Sequence, residues 1–240
     1  MDPDYARHYY EVATTDHWWY RGRSVLVAEL LKRQGFRAGT ALDIGAGTST
    51  LIPPTFSTIR LDVVRPELIG DGIFVQASAL RLPFRRSEFS VVGLFDLIEH
   101  VQDEAALLTQ VRRVLKPGGA VVATVPAHQW LWSQHDVLSG HVRRYSRKEL
   151  LAIFRMAGFH VVHCEHFYGF LVLPAVARKL LGGGGSMTSP TTRVNRALSS
   201  LAGVSVKRSL SRRRWGLSIG LLAIDGHEHL FEERGLPTIV

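Results

Sequence analysis

The chain has 240 residues, 46% of them hydrophobic, with a formal net charge of +8 and one cysteine. That content suits one α/β domain with a sizeable core and some appendages, while the lone Cys164 excludes an internal disulfide and agrees with a reducing cytoplasm. The start, Met1-Asp2-Pro3-Asp4-Tyr5, has neither the basic residues nor the apolar run of a secretory signal.

The first notable segment is His17-Trp18-Trp19-Tyr20-Arg21-Gly22-Arg23, three aromatics beside two arginines. Val25 to Gln34 follows with helical apolar spacing and Gly35 as its stop. Ala41 to Gly45 reads as a strand, and the run Thr40-Ala41-Leu42-Asp43-Ile44-Gly45-Ala46-Gly47-Thr48 puts a carboxylate and two glycines at its end. Ligands of open α/β sheets bind at the carboxyl ends of strands, where glycine lets the backbone come close to a cofactor. A third glycine is missing from the pyrophosphate-cradling pattern, which favours a cofactor without a pyrophosphate.

Ile59 to Val63 is a second strand ending in an acid, Asp62, about twenty residues after the first, where nucleoside-binding folds bond ribose hydroxyls. Phe74 to Ala77 and Phe89 to Phe95 make a third and a fourth strand. Ala105 to Leu115 is an amphipathic helix stopped by Lys116-Pro117-Gly118-Gly119, and Ala120 to Val125 is a fifth strand.

In this order and at these spacings, five motifs resemble the class I S-adenosylmethionine-dependent methyltransferases, most closely the small-molecule subgroup with the ubiquinone and menaquinone biosynthetic enzymes. They are residues 42–48, Asp62, residues 79–84 (Ala-Leu-Arg-Leu-Pro-Phe), 95–101 (Phe-Asp-Leu-Ile-Glu-His-Val) and 113–119 (Arg-Val-Leu-Lys-Pro-Gly-Gly). The resemblance runs from about residue 17 to 165. It implies a Rossmann-like, seven-stranded, mostly parallel sheet flanked by helices, an N-terminal lid over residues 1–24, a cofactor-binding core over 25–165 and a C-terminal part over 166–240 holding strands and a basic insertion.

The resemblance also implies roles. Asp43, Gly45, Ala46 and Gly47 would meet the methionine part of S-adenosylmethionine, Asp62 the ribose, and Leu94 and Phe95 the methionine amine and sulfonium. At the adenine position the usual aspartate is replaced by Ser78, beside Ala79, and a neutral hydroxyl is a weaker acceptor than a carboxylate. Trp19 or Tyr20 would belong to the lid, and Arg23 would pair with the methionine carboxylate, a role its fork suits. The alternative is a helix that buries its tryptophans in the core. His100 reads as a structural or supporting residue.

Residues 126–146 hold His128, His135 and His141 with Trp130, Trp132 and Asp136. A loop this rich in groups that transfer protons or stack on rings is a functional candidate, and the resemblance implies that it lines the acceptor pocket. His135, with Asp136 beside it, is the first candidate for general base, then His141, then His128. Trp130, Trp132, Arg143, Arg144 and Tyr145 are expected to touch the acceptor, with ion pairing across the lid as an alternative for residues 141–145. The histidine spacings match no zinc pattern, and no metal is expected. Ser146 to Glu149 reads as a capping box into a helix over 149–157.

Between Glu165 and Asp225 there is no acid but nine cations, among them Lys179, Arg193 and Arg212 to Arg214. Phe167 to Ala177 is apolar but too short to span a bilayer, and Gly182 to Ser186 reads as a flexible hinge. Strands at both ends of an inserted basic helical region are expected, with Leu217 to Ile224 as the last strand and the sixth within the apolar segment. The expected partner is a small-molecule acceptor, hydrophobic or anionic, whose oxygen is methylated. Contact with anionic lipid is a further expectation for the basic region. RNA methylation and a methyltransferase-like fold that binds the cofactor without transferring methyl are the competing functions.

Overall fold

Helix α1 (Trp18–Arg33) opens the computed structural model, which describes residues 17–48, 50–65, 72–180, 191–209 and 215–226. His17 caps it by accepting from the Trp19 amide, and Lys32 and Arg33 close it where cations complement the last carbonyls. Four parallel strands follow: β1 (Gly39–Ile44), β2 (Phe56–Asp62), β3 (Ile73–Gln76) and β4 (Phe89–Phe95). A 3-10 turn (Ile98–His100) and α2 (Glu104–Val114), capped by Asp103, lead to β5 (Leu115–Pro126). A second 3-10 turn (Gln129–Leu131) and the short α3 (Gln134–Ser139) precede α4 (Arg147–Met156), which starts in the Ser146/Glu149 capping box. β6 (Phe159–Phe167), α5 (Val172–Leu180), α6 (Thr192–Ser209) and β7 (Ser218–Asp225) complete the fold.

The seven strands are ordered β3-β2-β1-β4-β5-β7-β6. β7 enters between β5 and β6 and is antiparallel to both, whereas the pairs from β3 to β5 are parallel. Side chains alternate across the sheet. Leu42, Ile44, Val92 and Leu94 join the core under α2 and α4 with Leu108, Val111 and Phe154. Ala41 and Val91 face the opposite layer, where α1 and α6 supply Leu26, Val27, Ala202 and Val206. Asp43 and Phe95 fall on this second face.

Several expectations shift. The boundary drawn between residues 24 and 25 lies inside α1, and the one between 165 and 166 lies inside β6. Residues 17–24 are the start of a helix whose Trp18, Trp19 and Tyr20 pack on the core, while residues 1–16 of the expected lid lie outside the described residues. Lys116 to Gly119 does not separate helix from strand but lies in β5, where the register with β4 jumps between Phe89 and Val91. The sixth strand ends where the apolar segment begins and residues 169–180 are helical; period-2 alternation over 159–167 is interrupted by histidines. The hinge at 182–186 and Arg212 to Arg214 lie outside the described residues.

Candidate active site

At the carboxyl end of β1 the chain turns at Gly45, whose φ of 74° L side chains rarely adopt. A Cβ there would lie 2.8 Å from Leu97 Cδ1, so the glycine lets the turn after β1 touch the turn after β4. Asp62 holds the glycine turn: its Oδ2 accepts from the Gly47 amide at 3.0 Å and its Oδ1 from the Val64 amide at 3.3 Å. Arg60 is buried and donates to the Thr48 carbonyl at 3.1 Å.

Asp43 is 1% exposed, and neither carboxylate oxygen has a well-formed hydrogen bond to the protein. Burial pushes its carboxyl up to about 7, against the pull of Thr50, Leu51 and Arg60 nearby. Gly93, opposite Asp43 in the β1–β4 pairing, leaves room for the Phe95 ring and Asp43 together: an added Cβ would stand 2.5 Å from Phe95 Cε2 and 3.3 Å from Asp43 Oδ1. A buried acid with unspent acceptors beside an aromatic ring and a glycine turn fits the ammonium end of a methionine-bearing cofactor. Leu94 itself is fully buried under the other face. Ser78 is exposed, and its hydroxyl accepts from the Leu80 amide at 3.2 Å in a local turn, while Ala79 packs against the core.

Arg23 is engaged within the fold. It is 2% exposed, ion-pairs with Asp96 and donates to Thr124 Oγ1 at 2.6 Å, and Thr124 donates to Asp96 at 3.1 Å. Its guanidinium also stands 5.7 Å from the Trp19 ring centroid. Trp19 is tied down through its carbonyl, which accepts from the Tyr168 hydroxyl at 2.7 Å. Asp96 adopts a φ of 49°, a conformation uncommon for a residue with a side chain and held here by these partners.

The histidine segment is assembled around Asp136. Its carboxylate accepts from the Ser133 amide at 2.8 Å and from Arg144 at 2.7 and 2.9 Å, and it pairs with His141 Nδ1 at 2.8 Å. Burial opposes the charge, yet His141, Arg144 and Ser133 hold the carboxyl well below its usual range. Asp136 therefore supports His141 and not His135, its neighbour in sequence, because successive helical residues point apart. The His135 ring meets His141 edge-on at 6.0 Å, and His141 meets His100 at 4.8 Å. Burial and the neighbouring His141 lower both partners, His100 to about 4. His128 goes its own way, stacked on His166 at 5.0 Å and near Trp215.

Three residues expected on the acceptor are engaged within the fold. Arg143 pairs with Glu104 at 2.9 Å, Arg144 with Asp136, and the Tyr145 hydroxyl donates to Glu104 at 2.6 Å from a buried position. These contacts run to α2 and within the histidine segment. Trp130 is exposed and Trp132 partly so, and their carbonyls accept from Lys179 of α5.

Glu99 and His100 were not expected as site residues, although Asp96, Glu99 and His100 sit at helical spacing. The Val142 amide donates to the Glu99 carbonyl at 2.8 Å and His100 Nδ1 lies 3.2 Å from the Gly140 carbonyl, which pins the turn after β4 to the histidine segment. One ligand atom each from Glu99, His100 and His141 lies within 4.8 Å of the others, the group among the described residues able to hold a metal ion.

Comparisons with known proteins agree with this architecture. A family model described as a methyltransferase domain matches residues 16–164. A ubiquinone/menaquinone biosynthesis C-methyltransferase of Desulfotalea psychrophila is 29% identical over 54% of this chain and 69% of its own length. The corresponding protein of Hahella chejuensis is 32% identical over 45% and 53%. The chain thus spans between about half and two thirds of these relatives.

Among solved structures, the 1,6-didemethyltoxoflavin-N1-methyltransferase of Burkholderia thailandensis, with 1,6-didemethyltoxoflavin and S-adenosylhomocysteine bound, superposes with a TM-score of 0.58 at 16% identity, covering 92% of this chain and 85% of that one. Phosphoethanolamine N-methyltransferase 2 of Haemonchus contortus, in complex with S-adenosyl-L-methionine, gives 0.56 at 17%, covering 83% and 52%. The motif order, the sheet with its antiparallel seventh strand and the match over most of the chain agree: this protein belongs to the methyltransferase-domain family, in the class I S-adenosylmethionine-dependent group.

Proposed function

We propose that this chain transfers the methyl group of S-adenosylmethionine to an oxygen of a small-molecule acceptor, with His135 as the base. The observation that carries the reading is the meeting of loops. Leu97 touches the glycine turn, and two residues on, the Glu99 carbonyl is bonded to the histidine segment, so cofactor turn and proton-transfer groups share one end of the sheet.

When bound, S-adenosylmethionine would supply an electrophilic methyl on its sulfonium, to be taken by the acceptor oxygen with the S–C electron pair left on sulfur. Asp43 would receive the methionine ammonium, Asp62 the ribose hydroxyls, and Phe95 would cover the sulfonium. Burial and the adjacent His141 hold His135 below its ordinary pKa, which favours the neutral ring whose nitrogen would take the acceptor's proton. Trp130 and Trp132, partly open to solvent, would stack on an aromatic or otherwise flat acceptor. The curated relatives are named as quinone C-methyltransferases; removal of a phenolic proton by the same base also activates a ring carbon, which makes carbon the second acceptor atom.

The test begins with titration calorimetry of S-adenosylmethionine and S-adenosylhomocysteine, followed by transfer of labelled methyl to phenolic, quinol and glycan acceptors. His135→Gln lowers turnover by about 10²–10⁴-fold with S-adenosylhomocysteine affinity retained. Mass and NMR analysis of the product assigns oxygen or carbon. Full activity of the variant overturns the base, and absence of cofactor binding at millimolar ligand overturns the whole reading.

A further inference from the structure

We propose that Glu99, His100 and His141 form a binding site for one divalent cation of the zinc or manganese class, at the acceptor side of the cofactor turn. Glu99 and His100 are consecutive in the 3-10 turn after β4, and His141 comes 41 positions later, delivered by the bonds from Val142 and Gly140 to that turn. Their ligand atoms lie within 4.8 Å of one another. Donors around a tetrahedral cation at about 2.1 Å stand roughly 3.4 Å apart, so closure draws the three side chains inward by up to roughly 0.8 Å each.

The state of Glu99 is the independent sign that something belongs there. Its side chain is 0% exposed and neither oxygen has a hydrogen-bond partner. A carboxyl in this condition is costly in a folded chain, and a bound cation is one of the few neighbours that remove the cost.

Both histidines are prepared in the way metal-binding imidazoles are. His100 Nδ1 faces the Gly140 carbonyl at 3.2 Å, and His141 Nδ1 faces the Asp136 carboxylate at 2.8 Å. Each acceptor holds the proton on Nδ1 and leaves the Nε2 lone pair for a cation. Asp136 is itself fixed by Arg144 and Ser133, so the His141 ring is oriented by a network and not by one contact.

Two imidazoles and one carboxylate favour zinc, manganese or iron over magnesium or calcium, and three protein ligands leave at least one position open. That position suits a hydroxyl oxygen. A coordinated hydroxyl loses its proton more readily, and His135, whose ring is 6.0 Å from His141, stands where it can take that proton. This last role rests on the proposed oxygen methylation, whereas the site itself rests on geometry alone.

The experiment uses the full chain stripped by a chelator and dialysed. Zinc, manganese and magnesium chlorides are titrated separately by calorimetry, metal content is read by mass spectrometry, and cobalt is added for its visible absorption. S-adenosylhomocysteine is titrated in parallel, so that failure of the cofactor reading is seen separately. The expected result is one equivalent of zinc or manganese, with magnesium much weaker. Glu99→Gln, a near-isosteric change, and His141→Gln each weaken binding more than about 100-fold, with circular dichroism and S-adenosylhomocysteine affinity retained. His135→Gln leaves metal affinity within about threefold. If Glu99→Gln fails to fold, His100→Gln takes its place. No binding to the wild type, or binding indifferent to these ligand substitutions, overturns the site.

Discussion

Arg23→Met tests whether Arg23 belongs to the folded core or to the cofactor. The guanidinium is 2% exposed and its ion-pair partner Asp96 is 25% exposed. Removing one member of a buried pair costs about 3–5 kcal/mol when the other charge is left dry. Water reaches Asp96 in part and Thr124 still donates to it, so the loss is reduced to about 2–3 kcal/mol. In a chain of this size that lowers the melting temperature by about 4–12 °C.

Urea unfolding followed by tryptophan fluorescence is a suitable assay, with Trp19 as a reporter 5.7 Å from the guanidinium. The expected fall in midpoint is about 1 M at unchanged slope. Asp96→Asn added to Arg23→Met removes the stranded charge, and the double variant recovers about 1–2 kcal/mol of that loss. A stability loss below about 0.5 kcal/mol, with cofactor affinity falling instead, refutes the reasoning and returns Arg23 to the methionine carboxylate.

Asp62→Asn weakens acceptance from the Gly47 and Val64 amides as well as from the ribose, and S-adenosylhomocysteine affinity falls by about 5–150-fold in calorimetry. Unchanged affinity removes Asp62 from the site. Burial holds His163 down at about 4, with Arg33 and Arg147 adding to the effect. The folded state therefore prefers the neutral ring, and the contribution is intact above pH 6.5 and lost as pH falls from 6.5 towards 4. Wild type loses about 2–3 kcal/mol by this route between pH 7 and 4.5, and His163→Leu flattens that part of the urea-midpoint profile; equal profiles contradict it. Cys164 is fully buried, and burial pushes its thiol up to about 12. Its reaction with a disulfide reagent at pH 8 is slower than that of a free thiol by a factor of about 1000 or more, and fast labelling of the native chain rules this out.

The candidate cofactor turn was legible because its signals are local. A strand, a turn that demands glycine and an acid at the next strand end are neighbours in sequence, so Asp43, Gly45, Gly47 and Asp62 could be found by spacing. The caps of α2 and α4 are equally local, a side chain and an amide three residues apart. The Phe89–Phe95 strand carries its own apolar run and is observed with the expected bounds. The sixth strand was less visible because three histidines interrupt its alternation.

The chemistry opposite the cofactor was decided by tertiary structure. Sequence adjacency pointed Asp136 at His135, but a helical turn separates neighbouring side chains and the carboxylate meets His141 and Arg144 instead. Arg23 finds Asp96, just past β4, and Thr124 of β5, 73 and 101 positions away, through packing that no spacing rule encodes. Glu99 gained its significance only when the fold enclosed it beside His141. Local backbone preference and hydrophobic period thus determined the elements, the family motifs and the cofactor turn. Which polar groups became buried, and therefore which partners they had to find, depended on long-range burial, because an unpaired buried charge is costly only in the place where the finished fold puts it.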